Sequence, residues 1–166
     1  EVKDKPFFLA VGCWKPHAPF NAPKKYWDMY KRDELPPLNP ARPVGAPDVA
    51  FHESTEILGP VKAQKPLTSA QIAEMRHGYF ANISFMDAQI GKVLAALETS
   101  GQASNTIIIF FADHGYHIGE HTLWGKTSNF EYDAHVPLLV SVPGMAIGKT
   151  AAMAELVDVF PTLVDV

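Results

Sequence analysis

Continuous apolar runs occur at three places along the chain. They are "PFFLAVGC" (residues 6–13), "NTIIIFFA" (105–112) and "VPLLVSVPG" (136–144). Because the runs lack polar alternation, each is typical of a strand that is buried on both faces of a sheet. The sequence therefore predicts three strands, and the first of them should be central.

Between the first two runs, apolar residues recur at helical spacing. Thr68 and Gln71 form a predicted capping box, and Gly101 ends the pattern. This spacing predicts a long helix with one buried face. The apolar positions are Ile72, Met75, Tyr79, Ile83, Met86, Ile90, Val93, Leu94 and Leu97.

Proline marks the shorter elements. A short amphipathic helix is predicted to begin near Pro23, and a last helix is predicted to be capped by Asp158 with Pro161 in its early turn. Residues 35–66 are proline-rich and show no sustained period, so we interpret them as a surface excursion that rims a pocket.

The order strand, long helix, strand, loop, strand, helix is typical of an α/β sheet layered by helices. Ligands bind such sheets beyond the carboxyl ends of the strands. The stretch "ADHGYHIGEHTLWGKTSNF" (112–130) begins at such an end. We therefore expect the functional site in this loop.

Composition and charge exclude several function classes. The 166 residues carry a formal net charge of −4 without long runs of one sign, so nucleic acid and anionic membrane surfaces are not expected partners. No apolar run approaches the length of a membrane span. A single cysteine, Cys13, excludes an internal disulfide and is interpreted as a buried small side chain. The chain opens directly into a predicted strand, so we expect a piece of a longer protein.

Asp113 and His114 directly follow the second predicted strand, and Gly115 allows a close backbone approach. A carboxylate here must be hydrogen-bonded, paired or bound to a metal. Carboxylate oxygens suit calcium or magnesium, whereas imidazole favours transition metals, and a capping role for Asp113 is the alternative.

Lys126 and His17 are the candidates for handling an anionic substrate. An ammonium can neutralise charge on a sulfate or phosphate ester, and an imidazole can give a proton to a leaving oxygen. An exposed lysine and a packed histidine are the alternatives. Weaker candidates for ligand contact, with structural roles as the alternative, are His117, His121 and His135; Glu120 is expected to fix the loop and Trp124 to pack.

Three stretches carry a family resemblance: "FFLAVGCWKPHAPF", "DHGYHIGEHTLWGKTSNFEYDAHVPLLV" and "ELVDVFPTLVDV". They resemble the sulfatase family, most closely its iduronate-2-sulfatase branch and bacterial relatives, and the similarity covers nearly the whole chain. The resemblance implies an alkaline-phosphatase-like α/β fold, a mixed sheet sandwiched by helices that is incomplete here. Residues 1–166 then correspond to the later part of one catalytic domain.

The resemblance also implies site residues. Asp113 and His114 resemble the later pair of calcium ligands, Lys126 resembles the lysine that contacts the sulfate, and His17 resembles the histidine near the ester oxygen. Such enzymes attack sulfur with a formylglycine, which a formylglycine-generating enzyme makes from cysteine or serine. A sulfated carbohydrate would be the substrate, and a secreted, periplasmic or lysosomal location follows from the family.

The chain departs from the family pattern in two ways. The paired metal aspartates and the C-x-P-S-R-type stretch do not appear in it, and Cys13 does not match them. We therefore expect this piece alone to be inactive. Tyr116 and Thr127 differ from the iduronate-2-sulfatase pattern at positions near the sugar, so they are candidate substrate-binding residues. A phosphonate or phosphodiester hydrolase and a non-catalytic glycan-binding relative remain alternatives.

Overall fold

The computed structural model of the chain describes residues 5–51, 56–57 and 66–166. Its helices and strands are, in chain order, α1 (Lys24–Trp27), α2 (Ser69–Thr99), β1 (Ile108–Phe111), β2 (His117–Ile118), β3 (Trp124–Gly125), α3 (Glu131–Ala134), β4 (Leu138–Ser141) and α4 (Val159–Asp165). Single 3-10 turns occur at Asp48–Phe51, Ala103–Asn105, Glu120–Thr122 and Leu156–Asp158.

The long helix α2 begins and ends where the sequence predicts. The backbone N–H of Gln71 donates to Thr68 Oγ1 at 3.3 Å, and the backbone N–H of Thr68 donates to Gln71 Oε1 at 2.8 Å. This reciprocal pair satisfies two of the N–H groups that a helix start leaves without partners. Beyond the last turn, Gly101 takes a left-handed conformation with φ of 75°, which glycine adopts without steric cost.

The prediction that one face of α2 is buried is only partly correct. Burial is confined to one region of the helix, Met75, Arg76, His77, Gly78, Ala81 and Asn82. Val93 and Leu94, which belong to the predicted apolar stripe, are exposed. The elements that pack against α2 are α1 and β2, and the aromatic contacts on this helix fall between His77 and Phe85. Hydrophobic periodicity therefore predicted the helix correctly, but it did not predict which of its residues are buried.

Helix α1 follows Pro23 as predicted, although it has only one turn. Aromatic residues of α1 and of the turn that follows it pack against α2. The Trp27 ring stacks on His77 with centroids 4.2 Å apart, and the Tyr30 hydroxyl lies 2.6 Å from Ser84 Oγ. Tyr26 is buried against Phe85.

Two antiparallel ladders make up the described sheets. Strand β1 pairs with β4 so that Phe111 lies opposite Leu138, and β2 pairs with β3 so that His117 lies opposite Gly125. Strands therefore form within both later apolar runs, as predicted, but the expected burial on both faces is wrong for β4, whose four residues are all exposed.

The strand predicted over residues 6–13 is wrong for the described structure. This segment has no ladder partner among the described residues, and the Phe8 side chain is 84% exposed. Cys13 is exposed as well, contrary to the expected burial. An apolar run becomes a strand only when a neighbouring strand completes its hydrogen bonds, which the run itself does not specify.

The last helix differs in its cap. Helix α4 follows Asp158 as predicted, yet no side-chain hydrogen bond caps it. The Asp158 carboxylate instead accepts from the Glu155 backbone N–H at 2.8 Å and closes the preceding 3-10 turn. The predicted excursion at 35–66 contains a 3-10 turn and Glu56–Ile57; its residues 52–55 and 58–65 lie outside the described residues.

The apolar core of the described residues is small and lies where α1, α2 and β2 meet. Its fully or nearly buried apolar side chains are Ala18, Tyr26, Ile57, Met75, Ala81 and Ile118. None of the described helices combines the length and the apolar content that crossing a bilayer requires.

The close approach at Gly78 generates a stability prediction. A Cβ added there would lie 2.7 Å from the Phe20 carbonyl oxygen, whereas a Cβ at Gly91 on the same helix would meet nothing within 4 Å. Alanine normally stabilises a helix interior by about 1 kcal/mol relative to glycine. We expect Gly91→Ala to raise the free energy of unfolding by about that amount and Gly78→Ala to lower it, as measured by urea denaturation. Equal stabilisation by both variants would contradict the tight contact.

Candidate active site

The Asp113–His114 pair lies just beyond β1. The backbone N–H of Ala112 still donates to the Pro137 carbonyl at 3.3 Å, and the chain then leaves the ladder. The Asp113 side chain is 83% exposed, and its Oδ1 accepts from the His114 backbone N–H at 3.1 Å. The carboxylate is therefore not buried.

The donor atoms of this pair fit a shared metal ion. Asp113 Oδ2 lies 3.7 Å from His114 Nε2, a separation that two ligands of one cation adopt. His114 Nδ1 lies 2.7 Å from the Gly115 carbonyl oxygen, so Nδ1 carries the proton and Nε2 keeps its lone pair. A backbone carbonyl fixes the tautomer of metal-binding histidines in this way.

A complete metal site needs more ligands than this pair. Within residues 5–51, 56–57 and 66–166, no group of three or more His, Cys, Asp or Glu side chains has a metal-binding arrangement. Calcium takes six to eight oxygen ligands. Asp113 would supply one such oxygen and His114 a nitrogen, so the pair would account for only part of a coordination shell.

Gly115 holds this loop against α3. Its backbone N–H donates to the Asp133 carbonyl at 2.8 Å, and a Cβ at this position would lie 1.9 Å from the Tyr132 carbonyl oxygen. Any larger residue would push the two backbones apart. The glycine of "DHG" is thus required by the contact with α3.

Strands β2 and β3 form a tight hairpin, and Lys126 lies at its end. Glu120 Oε2 accepts from the Ile118 backbone N–H at 2.8 Å, which agrees with the predicted loop-fixing role of Glu120. His121 and Thr122 take positive φ values of 54° and 65° in the turn. Lys126 follows directly after β3, so its backbone position depends on this hairpin.

Lys126 and His17 converge on one carboxylate oxygen. Glu56 Oε1 lies 3.0 Å from Lys126 Nζ and 2.9 Å from His17 Nε2. The exposed fractions of the three side chains are 22% for Lys126, 21% for Glu56 and 35% for His17. Two residues that are distant in the sequence therefore surround a single anionic oxygen in a partly buried position.

The loop that carries His17 is held by hydrogen bonds to its own backbone. His17 Nδ1 lies 2.8 Å from the Ala18 carbonyl oxygen, and Lys15 Nζ donates to the carbonyl oxygens of Pro19 and His17. Both ring nitrogens of His17 face acceptors, so both contacts are hydrogen bonds when the ring is doubly protonated. Burial lowers the pKa of Lys15.

Tyr116 packs inside the site. Its ring lies 5.6 Å from Tyr79 and 6.1 Å from Phe20, measured between centroids. Its hydroxyl is shielded from solvent and has no hydrogen-bond partner among the described residues. Burial, together with the charge of Glu56, raises the pKa of Tyr116. The predicted contact between Tyr116 and substrate stays a prediction.

Residues after Lys126 form a second buried polar cluster. Thr127 has a positive φ of 80°. Ser128 donates to Asp133 Oδ2 from its backbone N at 2.9 Å and from its Oγ at 2.6 Å, and His117 Nδ1 lies 2.8 Å from Asp133 Oδ1. The His117 side chain is 1% exposed, which favours the structural alternative for this histidine.

The other two histidines differ in position. His121 packs its ring 4.7 Å from Phe130, and burial lowers its pKa. His135 is exposed and pairs with Glu131 at 3.1 Å. Neither contacts His17 or Lys126 through a hydrogen bond or ion pair described by the structure.

Sequence reasoning missed Glu56 and Asp133. Glu56 lies in the proline-rich stretch, which has no period to identify a buried side chain. Asp133 lies in "NFEYDAHVP", where nothing distinguishes it from the neighbouring exposed Glu131. The only sequence signal at either position is a charged residue within a segment that has no hydrophobic periodicity.

Comparison with known proteins identifies the family. The family model for sulfatases matches residues 1–166, the whole chain. The chain belongs to the sulfatase family. This confirms the resemblance seen in the three quoted stretches.

Individual relatives agree with this membership. Over 159 residues the chain is 39% identical to iduronate 2-sulfatase of Homo sapiens, covering 90% of this chain and 28% of that protein. It is 35% identical to choline-sulfatase of Rhizobium meliloti, covering 97% of this chain and 31% of the relative. The chain thus spans less than a third of each of these two sulfatases.

A solved structure supports the expected fold class. Phosphonate monoester hydrolase of Agrobacterium radiobacter superposes with a TM-score of 0.68 at 28% identity, covering 85% of this chain and 30% of that one. The expected alkaline-phosphatase-like fold of mixed helix and strand, incomplete in this chain, is confirmed. The roles of individual sulfatase site residues stay predictions.

Ionisation of Tyr79 provides a test of the site's burial. Burial, with the nearby carboxylates of Glu120 and Asp133, raises the pKa of Tyr79 from 10.0 to about 12. An unfolded chain then loses this proton before the folded chain does, so stability should fall as pH rises from 10.0 to about 12. We expect Tyr79→Phe to reduce this alkaline loss in urea denaturation, whereas Tyr132→Phe, at a more exposed position, should not. An unchanged pH dependence in Tyr79→Phe would contradict the prediction.

Proposed function

We propose that the chain is part of a sulfuric ester hydrolase that removes sulfate from a sulfated carbohydrate. The observation that carries the proposal is the convergence of Lys126 and His17 on one oxygen of Glu56. A sulfate ester presents anionic oxygens of the same kind. An ammonium and an imidazole at this spacing are therefore suited to bind such a group.

Lys126 has the chemistry to stabilise the negative charge of the reacting sulfate. Its ammonium is partly buried, and electrostatic interactions are stronger away from bulk water. Donors that are already in position when charge develops contribute most to the rate. Lys126 would thus bind sulfate oxygens in the ground state and more strongly in the transition state.

His17 has the chemistry to protonate the leaving alcohol. Its Nδ1 is occupied by the Ala18 carbonyl, which leaves Nε2 as the nitrogen that faces the anion position. A proton on Nε2 can pass to the ester oxygen as the sulfur–oxygen bond breaks. Glu56 Oε1 lies 2.9 Å from the same nitrogen and marks the position that an anionic oxygen of the substrate would take.

A calcium ion is the proposed cofactor. Asp113 Oδ2 and His114 Nε2 would hold it, together with ligands from beyond the described residues. When bound, the ion would supply positive charge that screens the sulfate oxygens. The tautomer of His114 already suits this role.

The nucleophile is proposed to be a formylglycine from outside these 166 residues. Cys13 does not stand in a C-x-P-S-R-type stretch, so it is not the proposed precursor. Maturation would require a formylglycine-generating enzyme as partner. The isolated chain is accordingly expected to be inactive.

The names of relatives guide the proposed substrate and location. Iduronate 2-sulfatase and choline-sulfatase act on different alcohols, so the family alone does not select the sugar. Tyr116 and Thr127, which depart from the iduronate-2-sulfatase pattern, are the proposed substrate-contacting positions. We propose a secreted, periplasmic or lysosomal location, in keeping with exported and lysosomal sulfatases.

A second candidate function is hydrolysis of phosphonate monoesters or phosphodiesters. The structural match to a phosphonate monoester hydrolase favours it, because that enzyme shares this part of the fold. The phosphoryl and sulfuryl groups are both tetrahedral and anionic, so Lys126 would suit either. A glycan-binding relative without activity is the third outcome that an assay must separate.

The deciding experiment uses the complete protein that contains this chain, produced with a formylglycine-generating enzyme. Release of sulfate from a panel of sulfated sugars and turnover of a phosphonate ester would be measured with calcium and with chelator. Calcium-dependent sulfate release supports the proposal. Phosphonate turnover alone would assign the second candidate, and binding of sulfated sugar without turnover would assign the third.

Lys126→Ala tests the proposed anion contact. We expect kcat/KM to fall by about 100-fold or more, because a preorganised charge is lost where transition-state charge develops. Lys149→Ala, at an exposed position in the loop after β4, is the matched control and should retain full activity. Equal kcat/KM for Lys126→Ala and the wild type would remove Lys126 from the site.

Asp113→Ala tests the proposed metal pair. Because the side chain is exposed and makes only a local hydrogen bond, the fold should survive its loss. We expect calcium affinity, measured by titration calorimetry, to fall by about 10-fold or more and activity to fall with it. Asp87→Ala, at an exposed position of α2, is the control. Unchanged calcium affinity in Asp113→Ala would refute the assignment.

A further inference from the structure

We propose that Asp133 is a positioning residue that fixes Lys126 relative to the Asp113–His114 pair. This inference rests on the proposed hydrolase function, although Asp133 itself touches neither substrate nor metal in that proposal. Asp133 lies in α3, and its side chain is only 4% exposed. A carboxylate at this depth needs hydrogen-bond partners on both oxygens.

The Asp133 side chain joins the two ends of the segment that contains Lys126. Oδ1 binds His117, in β2, at 2.8 Å. Oδ2 accepts from the backbone N–H of Ser128 at 2.9 Å and from its hydroxyl at 2.6 Å. His117 also pairs with Gly125 across the β2–β3 ladder. Lys126 is therefore flanked on one side by a strand pair and on the other by the Asp133 carboxylate.

The backbone of Asp133 reaches the other half of the site. Its carbonyl accepts from the Gly115 N–H at 2.8 Å, directly after the candidate metal ligands. Asp133 thus holds two loops. Its main chain binds the loop that contains Asp113, His114 and Gly115 (the metal-ligand loop), and its side chain binds the loop of residues 126–128 (the lysine loop). The separation between the two loops depends on the place of Asp133 in α3.

Thr127 shows that the lysine loop is constrained. Its φ of 80° lies in the left-handed region, which is unfavourable for a β-branched residue. Such a conformation persists where the surroundings hold it in place. The two hydrogen bonds from Ser128 to Asp133 begin at the very next residue and supply this restraint.

Little space surrounds the cluster. His117, Lys126, Ser128 and Asp133 border a cavity of only about 10 Å³, with His117 Nε2 buried and without a described hydrogen-bond partner. Loss of the carboxylate would release Ser128 and allow the backbone at Lys126 to shift. A shift of about 1 Å in a catalytic group lowers rates by about 100-fold.

Asp133→Asn tests the proposal in the complete protein, with the substrate that the wild type turns over. An amide keeps the shape but cannot accept from His117 and Ser128 on both of its atoms. We expect kcat/KM to fall by about 100-fold while calcium affinity at Asp113–His114 is retained. Glu131→Gln, on the same helix but 86% exposed, is the matched control and should behave as wild type.

A double-mutant cycle separates positioning from general destabilisation. If Asp133 acts through Lys126, Asp133→Asn should change kcat/KM by less than about 2-fold when Lys126→Ala is already present. Additive losses in the double mutant, or wild-type kcat/KM in Asp133→Asn, would overturn the proposal. Absence of turnover by the wild type on every ester would instead refute the proposed function.

Ser128→Ala covers the case in which Asp133→Asn does not fold. This variant removes the hydroxyl, which donates to Asp133 at 2.6 Å and accepts from the Phe130 backbone N–H at 3.3 Å. It keeps the backbone hydrogen bond from Ser128 to Asp133 and the contact between Asp133 and His117. We expect a loss of about 10-fold in kcat/KM, as for one hydrogen bond to a charged group, and again no further loss in the Lys126→Ala background. Wild-type kcat/KM in a folded Ser128→Ala protein would overturn the proposal.

Discussion

A buried carboxylate accepts hydrogen bonds from opposite sides at Asp133, and the strand-end loops are arranged around it. The Asp133 side chain is almost fully buried, so its oxygens need hydrogen-bond donors. His117 and Ser128 supply the donors, and Gly115 binds the carbonyl of the same residue. This requirement joins β2, the lysine loop and the "DHG" loop into one unit. Helix α3 can be short because its polar contacts, more than its apolar ones, fix its position.

The sequence predicted those elements whose signals are local. A capping box at Thr68 and a left-handed stop at Gly101 involve only neighbouring residues, so the limits of α2 could be read in advance. The strand predicted at residues 6–13 is wrong for the described structure, because a ladder requires a partner from elsewhere in the fold and a local pattern does not specify one. The exposure of Phe8 and Leu94 was not predicted for the same reason. An apolar side chain favours burial, but its sequence position does not specify which part of the fold packs against it.

The same distinction between local and long-range signals applies to the candidate site. Asp113 and His114 are adjacent in sequence, so their chemistry is visible without a structure, and their side chains do share one face of the loop. His17 and Lys126 are distant in sequence yet both contact Glu56. Family resemblance suggested that both lie near one substrate group, and composition did not. Glu56 was not predicted at all, since no pattern in a proline-rich segment marks a carboxylate that reaches both Lys126 and His17.

The two parts of the candidate site differ in how exposed their charged side chains are. Asp113 is exposed and makes only a local hydrogen bond, so the proposed metal-binding role would cost the fold little. Lys126 is partly buried and paired with Glu56, so any anion that enters must replace a negative charge that is already there. Replacement of one anion by another leaves the local charge balanced, which avoids the penalty of an unpaired buried ammonium. In the proposed site, selectivity would then depend on geometry, which is the property that we propose the hydrogen bonds around Asp133 to maintain.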